Sequence, residues 1–265
     1  VDLTLVLEHG ETHGDGPVSQ NSAYADGFET AANFPGKTSL RYNSLMFETN
    51  AAVGDTGKIT NILGYRGFKL DTAYGFDGSP TPAYHILYHT KQDQFSNELR
   101  YSDRFFDTVD FVTGLYYFTQ DIFYINRDDL IYVNKIRDYG GTQKQESYGV
   151  FANADVDILE KLRLGFGARY SIDKKRVDVV TGRATPANQL CNFNTLSCQS
   201  AFRDHKTFNS FTPRAAISYF PASNSQLYFS YSKGFRAGGY NLRHSTPPAL
   251  PGPFGDEQAD ALELG

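Results

Sequence analysis

The sequence predicts an all-β fold, an antiparallel transmembrane β-barrel segment of about ten strands, on three observations. Polar and apolar residues alternate with period two along most of the 265 residues, as they do when successive side chains of a strand point to opposite faces. Short polar turns alternate with long connections, the pattern of short periplasmic turns and long extracellular loops. The composition is rich in strand formers, with 18 Tyr, 21 Phe and 24 Gly beside no Trp and a single Met.

Composition also excludes alternatives. A mean hydropathy of -0.44 and the lack of a long apolar run exclude a membrane-spanning helix, which must be apolar all round. A barrel stays open, because only alternate residues of its strands meet lipid. The formal charge of -5 leaves no extended basic surface for a phosphate backbone, so nucleic acid is not an expected partner. Val1 opens inside a strand-like run, with no basic segment and apolar stretch before it. Either a secretion signal has been removed or the chain is a fragment.

Taken in order, Leu3, Leu5 and Leu7 start the chain on one apolar face. The first hairpin pairs residues 45–53 with 59–68 across 54–58, and the second pairs 95–102 with 109–119 across 103–108. The third is the cleanest. Tyr148, Val150, Ala152, Ala154 and Val156 oppose Ser147, Gly149, Phe151, Asn153 and Asp155. After Leu159-Glu160-Lys161, the face Leu162, Leu164, Phe166, Ala168, Tyr170, Ile172 opposes Arg163, Gly165, Gly167, Arg169, Ser171, Asp173. About ten residues per strand suit a tilted crossing of a bilayer. A fourth hairpin pairs 211–219 with 227–235 across 221–225, and 259–265 begins a further strand. The long connections are expected at 10–43, 69–91, 121–145, 174–207 and 236–256, beyond ordinary hairpin lengths. Aromatics gather at strand ends, as in Tyr116-Tyr117-Phe118 and Tyr219-Phe220, where a girdle meets lipid headgroups.

Motifs for chemistry are sparse. His9 with His13, and His85 with His89, have a spacing that would join two imidazoles on a helix. No helix is expected at either place, and they read as polar loop histidines. Asp121, Asp128 and Asp129 lack the dense spacing of a calcium loop and read as a solvated loop. No metal, cofactor or catalytic residue is expected. Cys191 and Cys198 lie close together in a loop rich in Asn and Ser, where an oxidising envelope favours a disulfide over a pair of free buried thiols. Two competing classes share parts of the pattern. An outer-membrane barrel enzyme could place a hydrolytic site at its extracellular rim, using Asp128, Asp129 and the loop histidines. No Ser/His/Asp or paired-carboxylate spacing supports it. A soluble β-sandwich could bind carbohydrate through Tyr and Phe.

The segment Leu227-Tyr228-Phe229-Ser230-Tyr231-Ser232-Lys233-Gly234-Phe235-Arg236-Ala237-Gly238-Gly239-Tyr240-Asn241 resembles the mid-barrel signature of TonB-dependent outer-membrane receptors, those for siderophores in particular. Glu257-Gln258-Ala259-Asp260-Ala261-Leu262-Glu263-Leu264-Gly265 is similar to the strand that follows in that family, although Ala261-Leu262 departs from its Tyr-Glu-Leu-Gly ending. Gln94-Phe95-Ser96-Asn97-Glu98-Leu99-Arg100-Tyr101-Ser102 and Gly165-Phe166-Gly167-Ala168-Arg169-Tyr170-Ser171 are similar to other barrel strands of these receptors. The resemblance runs in order along essentially the whole chain.

It implies a wall segment of a larger barrel of about 22 strands whose lumen is filled by a plug domain. The plug and the remaining strands are expected to lie outside residues 1–265. It further implies a bacterial cell outer membrane location and uptake of a scarce nutrient, a ferric siderophore first, energised by the inner-membrane TonB complex acting through the plug. Outer-membrane lipid is the other expected partner. Haem is disfavoured, since Phe235-Arg236-Ala237 is followed by Gly238 rather than Pro and no second haem box follows His244. Candidate ligand contacts are Tyr84, His85, Tyr88, His89, Arg236 and Arg243, aromatic and cationic groups suited to an anionic iron chelate. Arg66, Glu98, Arg100, Asp155, Arg169 and Arg214 fall on polar strand faces, where they would line a wet lumen or touch the plug. Altered plug release after Arg169→Ala is the expected sign of the second role, and unchanged release would count against it.

Overall fold

The computed structural model describes residues 1–24, 27–182, 190–244 and 249–265. Ten strands follow one another: β1 (Asp2–Gly14), β2 (Lys37–Val53), β3 (Gly57–Gly75), β4 (Tyr84–Phe105), β5 (Val109–Leu130), β6 (Lys135–Leu159), β7 (Leu162–Thr181), β8 (Ser200–Ala222), β9 (Ser225–Arg236) and β10 (Glu257–Leu264). Each pairs with its neighbours in sequence, giving one sheet in the order β1 to β10, with β1 and β10 as its edges. Among the described residues no helix is long and apolar enough to cross a membrane, which leaves crossing by strands untouched.

The register sorts the two faces. Thr60 of β3, Arg100 of β4, Asn153 of β6, Arg169 of β7 and Arg214 of β8 line one hollow of ≈ 720 Å³, so the sheet curls with this polar face inside. Leu3, Leu5, Leu7, Leu115, Val150, Phe166, Phe211, Ile217, Leu227, Phe229 and Leu262 lie exposed on the other. Apolar side chains turned outward over a polar interior invert a soluble core, and lipid is the medium that stabilises that arrangement. From Leu162 to Ile172 the apolar run of β7 climbs about 25 Å when tilted by about 40°, matching a hydrocarbon layer. Tyr65, Phe95, Tyr117, Tyr148 and Tyr170 cap the band at one end. Tyr65 donates to Asp93 (2.9 Å) and Tyr148 to Glu146 (3.3 Å), so each ring stays in the band while its hydroxyl turns to the polar rung above.

At the lower end the hairpins are tight, turning at residues 54–56, 106–108, 160–161 and 223–224. The upper connections differ from expectation. The loop expected at 121–145 is mostly strand, because β5 runs to Leu130 and β6 begins at Lys135, with only a single 3-10 turn (Ile131–Val133) between. The loop expected at 69–91 shrinks to 76–83. Those expected at 10–43, 174–207 and 236–256 become 15–36, 182–199 and 237–256. Within them, residues 25–26, 183–189 and 245–248 lie outside the described residues. The physical reason is that these strand extensions stand above the apolar band, with water on both sides. Lys91, Asp93, Asp121, Lys144 and Arg176 occupy their outer face, so the polar and apolar alternation that marks a strand in lipid vanishes while the hydrogen-bonded ladder continues.

Candidate functional site

The buried part of the molecule lies on the inner face of these extensions. Val177 and Val179 of β7 pack with Tyr240 from the 237–256 connection, and Phe202 and Leu242 close the cluster. Lys175 donates to Gly238 O (2.6 Å) and Thr181 Oγ1 to His244 O (2.8 Å), which folds that connection inward over β7. Tyr240 also donates to Asp204 (3.0 Å). Burial, reinforced by that bond to a carboxylate, pushes its hydroxyl up to about 12.

Beside this cluster stands a network on β5 and β6. Tyr124, Asn126 and Asp128 alternate along β5 and so share its inner face. Tyr139 and Arg137 sit opposite Asn126 and Asp128 in register. Asp128 and Asn126 are 1% exposed. Arg137 Nε donates to Asp128 (2.8 Å), and Asn126 Nδ2 donates to its other oxygen (2.7 Å). Arg137 also reaches the Tyr84 hydroxyl (3.4 Å). Arg243 lies over the Tyr124 ring at 6.0 Å. Burial raises the hydroxyls of Tyr84, Tyr124 and Tyr139 above the ordinary phenol value, so near neutral pH all three stay protonated. Gly140 and Gly141, with φ of 148° and 158°, permit the close approach, since a Cβ on either would strike the backbone of Tyr124 or Asp178.

The structure separates the six residues singled out for ligand contact. Tyr84 and Tyr88 stand on the inner face of β4 and Arg243 joins them through Tyr124. His85 and His89 lie in strand β4 rather than in a loop, and they point outward, where alternation puts odd-numbered residues of that strand. His85 stacks on Phe34 (4.6 Å) and bonds Asn33 (3.2 Å), while His89 bonds Asp71 (2.6 Å). Arg236 ends β9, largely exposed, at 3.4 Å from Glu257. The other histidine pair also lies on a strand, β1, where His9 bonds Asn43 (2.8 Å) and His13 bonds Glu11 (2.7 Å). Asp128, expected to be solvated, is buried in its ion pair. Sequence reading passed over Asn126, Arg137 and Tyr139, although Tyr124, Asn126 and Asp128 at alternate positions carried the signal of one strand face.

Lower in the hollow, all six charged residues expected on the polar faces lie inside. Glu98 pairs with Arg100, and Arg66 lies over Tyr42 (5.8 Å). Arg169 lies over Tyr116 (5.0 Å) and Phe151 (5.8 Å). Gly149 makes that possible, since a Cβ there would occupy the position of the Arg169 guanidinium. On the outer face, Cys191 and Cys198 are joined, with Cα atoms 4.7 Å apart. Cys191 N–H donates to Asp138 (3.1 Å), which Arg127 holds through two bonds.

A curled antiparallel sheet that is apolar outside, charged inside and crowned by an aromatic and cationic wall has the form of a segment of a membrane barrel. The chain belongs to the TonB-dependent receptor-like β-barrel family, whose profile matches residues 4–265, a family of bacterial outer-membrane receptors rather than enzymes. The ferric yersiniabactin uptake receptor FyuA from Yersinia pestis superposes with a TM-score of 0.80 at 16% identity, over 99% of this chain and 39% of that one. The siderophore receptor PiuA from Acinetobacter baumannii gives 0.69 at 15% identity, over 99% and 44%. The ferric-catecholate import receptor Fiu from E. coli K12, in its closed form, gives 0.65 at 13% identity, over 99% and 46%. At these identities the likeness is one of fold. The chain therefore spans about two fifths of the length of the first of these receptors. No curated protein matches it in sequence.

Proposed function

We propose that the chain forms part of the barrel wall of a bacterial outer-membrane receptor that takes up a ferric siderophore, energised by the inner-membrane TonB complex through a plug domain. The observation that supports this most is the inner wall above the apolar band, where Tyr84, Tyr88 and Arg243 share one curved surface around the buried Tyr124 and the Asp128–Arg137 ion pair. Ferric chelates are commonly anionic and carry planar aromatic or hydroxamate groups. The Arg243 guanidinium would attract the charge, and rings and phenols would hold the planar ligand. The solved structures of like fold are described as a ferric yersiniabactin uptake receptor and a siderophore receptor, which supports the same ligand class here. Of the six candidate contacts, Tyr84, Tyr88 and Arg243 belong to this wall. His85, His89 and Arg236 would reach a ligand only through rearrangement of partners they already hold.

The test uses the full-length receptor in a strain lacking its own ferric uptake receptors. Iron-restricted growth on one of a panel of ferric siderophores, lost when TonB is deleted, is the expected outcome. Arg243→Ala should weaken binding of that chelate to purified receptor by about tenfold, the loss of one desolvated cation–ring and charge contact. Growth on none of the panel, with the receptor present in the outer membrane, would overturn the ligand class.

A further inference from the structure

The tip of the β5–β6 hairpin is tied on both faces of the sheet. Arg127 and Asp138 are register partners, and so are Asp128 and Arg137 on the next rung. The first pair forms two bonds on the outer face (2.8 and 3.1 Å), and the second bonds on the inner face (2.8 Å). Both carboxylates are buried, Asp138 at 2% exposure, but by different means. Asn126 and Arg137 close off the inner one. The outer one lies beneath the small hairpin that Cys191 and Cys198 close.

Within that hairpin Asn192 and Ser197 exchange two backbone bonds (2.9 and 3.0 Å), and the disulfide joins the residues just outside them. Cys191 N–H donates to Asp138 Oδ2 (3.1 Å). The paired sulfurs rest on Gly182, where a Cβ would come within 2.9 and 3.0 Å of them, and Gly182 N–H donates to Asp138 O (2.7 Å). Phe193, in the turn, walls a cavity of ≈ 580 Å³ beside Leu87, Ile125 and Arg127, so its ring lacks packing on that side. The seat of the hairpin on Asp138 therefore depends on the bridge that shapes it. In the chain-entropy account, breaking a bridge across a loop of this size lowers the ordered population on the order of 50-fold.

We propose that the Cys191–Cys198 hairpin is a redox-sensitive brace, whose reduction uncovers Asp138 outside and loosens Tyr124, Arg137 and Tyr139 inside. One thiolate of an external dithiol attacks Cys198 Sγ, the sulfur of the less buried cysteine, and Cys191 Sγ leaves as a thiolate and is protonated. The second thiol of the reductant then displaces Cys198 as a thiol, so the dithiol is oxidised to a disulfide and two cysteine thiols form. Freed of its bridge, the hairpin lifts and water reaches Asp138. A buried pair becomes a screened one that holds its two strands loosely. The effect crosses the sheet because Asp138 lies between Arg137 and Tyr139 on β6, and Arg127 between Asn126 and Asp128 on β5. The consequence for a ligand rests on the reading above, whereas the coupling itself does not.

The experiment is nitration of tyrosines by tetranitromethane in the full-length receptor in detergent, located by tandem mass spectrometry. Wild type should react readily at the exposed Tyr132 and slowly at the buried Tyr124 and Tyr139. Cys191→Ser with Cys198→Ser should raise nitration of both buried rings by about tenfold and leave Tyr132 unchanged. Asp138→Asn should act in the same direction, whereas Arg203→Gln, which breaks the outer pair with Asp178, should leave both rings as in wild type. Hydrogen exchange of wild type tests the redox step. Exchange across 124–130 and 135–141 should quicken in dithiothreitol and slow again on reoxidation, while 162–172 in the apolar band stays slow. Unchanged nitration in the double serine variant, or unchanged exchange on complete reduction, would overturn the inference. Fast exchange of 162–172 as well would also overturn it, since the bridge would then support the whole barrel rather than this wall. No ligand enters the measurement, so a receptor that takes up no ferric siderophore yet responds in this way loses the ligand reading and keeps this one.

Discussion

Asp128 shows how a single buried charge organises the upper wall. Its carboxylate is 1% exposed and relies on Arg137, which is itself about a third exposed, and on the Asn126 amide. Arg137→Gln would leave a buried carboxylate with a weaker partner. Breaking a buried pair costs about 3–5 kcal/mol, and partial exposure of the arginine lowers the expectation here to about 2 kcal/mol. Denaturant unfolding of the full-length receptor in detergent should show that loss, and an unchanged midpoint would mean that water already screens the pair. Tyr240 gives a prediction in pH. Its folded value is raised to about 12 from the ordinary phenol value of 10.0, so the neutral phenol is favoured when the 237–256 connection is docked. Its contribution is therefore complete below pH 10 and is lost as pH climbs through about 12. In an ultraviolet titration of phenolate, Tyr240→Phe should remove one step near the top of the curve. Persistence of that step would show that the hydroxyl is not held by Asp204.

At the scale of elements, the sequence was legible wherever lipid enforced a contrast between faces. Tyr148 to Val156 and Leu162 to Ile172 alternate cleanly because one side meets hydrocarbon, and their hairpin falls where alternation put it. Phe123, Ile125 and Arg127, by contrast, share an outer face in water, while Tyr124, Asn126 and Asp128 share an inner face that is partly polar. With no contrast between the two sides, a period-two reading runs out near Asp121 and takes strand for loop. The same blindness hid half of the inner wall, since the side on which Tyr84 and His85 fall follows only once both are known to lie in β4. The tight turns carry their own strain. Phe106 and Asp107 adopt left-handed φ of 55° and 57°, a conformation that Asn and Gly accept more readily than Phe. Phe106→Asn should raise stability by about 1 kcal/mol, read as a shifted unfolding midpoint. A loss instead would mean that the exposed ring packs on another part of the full-length protein.

The whole sheet poses a question of closure. Its polar face is concave, its apolar face is convex, and its edges β1 and β10 do not pair with each other. An exposed edge in hydrocarbon leaves a row of backbone amides and carbonyls without partners, at several kcal/mol each, so in a membrane both edges must be covered by further strands or by each other. The second arrangement would make a closed ten-stranded barrel too narrow for the plug that the family implies. The first fits a chain that covers 39% and 44% of the receptors it resembles in fold. Cross-linking in the full-length receptor distinguishes them. Leu7 and Leu45 are register partners on β1 and β2, so Leu7→Cys with Leu45→Cys should form a disulfide in the outer membrane. Leu5→Cys with Leu262→Cys, one residue on each edge strand, should remain two free thiols if other strands intervene. Efficient cross-linking of that second pair would mean that β1 meets β10, that the ten strands close on themselves, and that uptake through a plugged lumen is the wrong account of this wall.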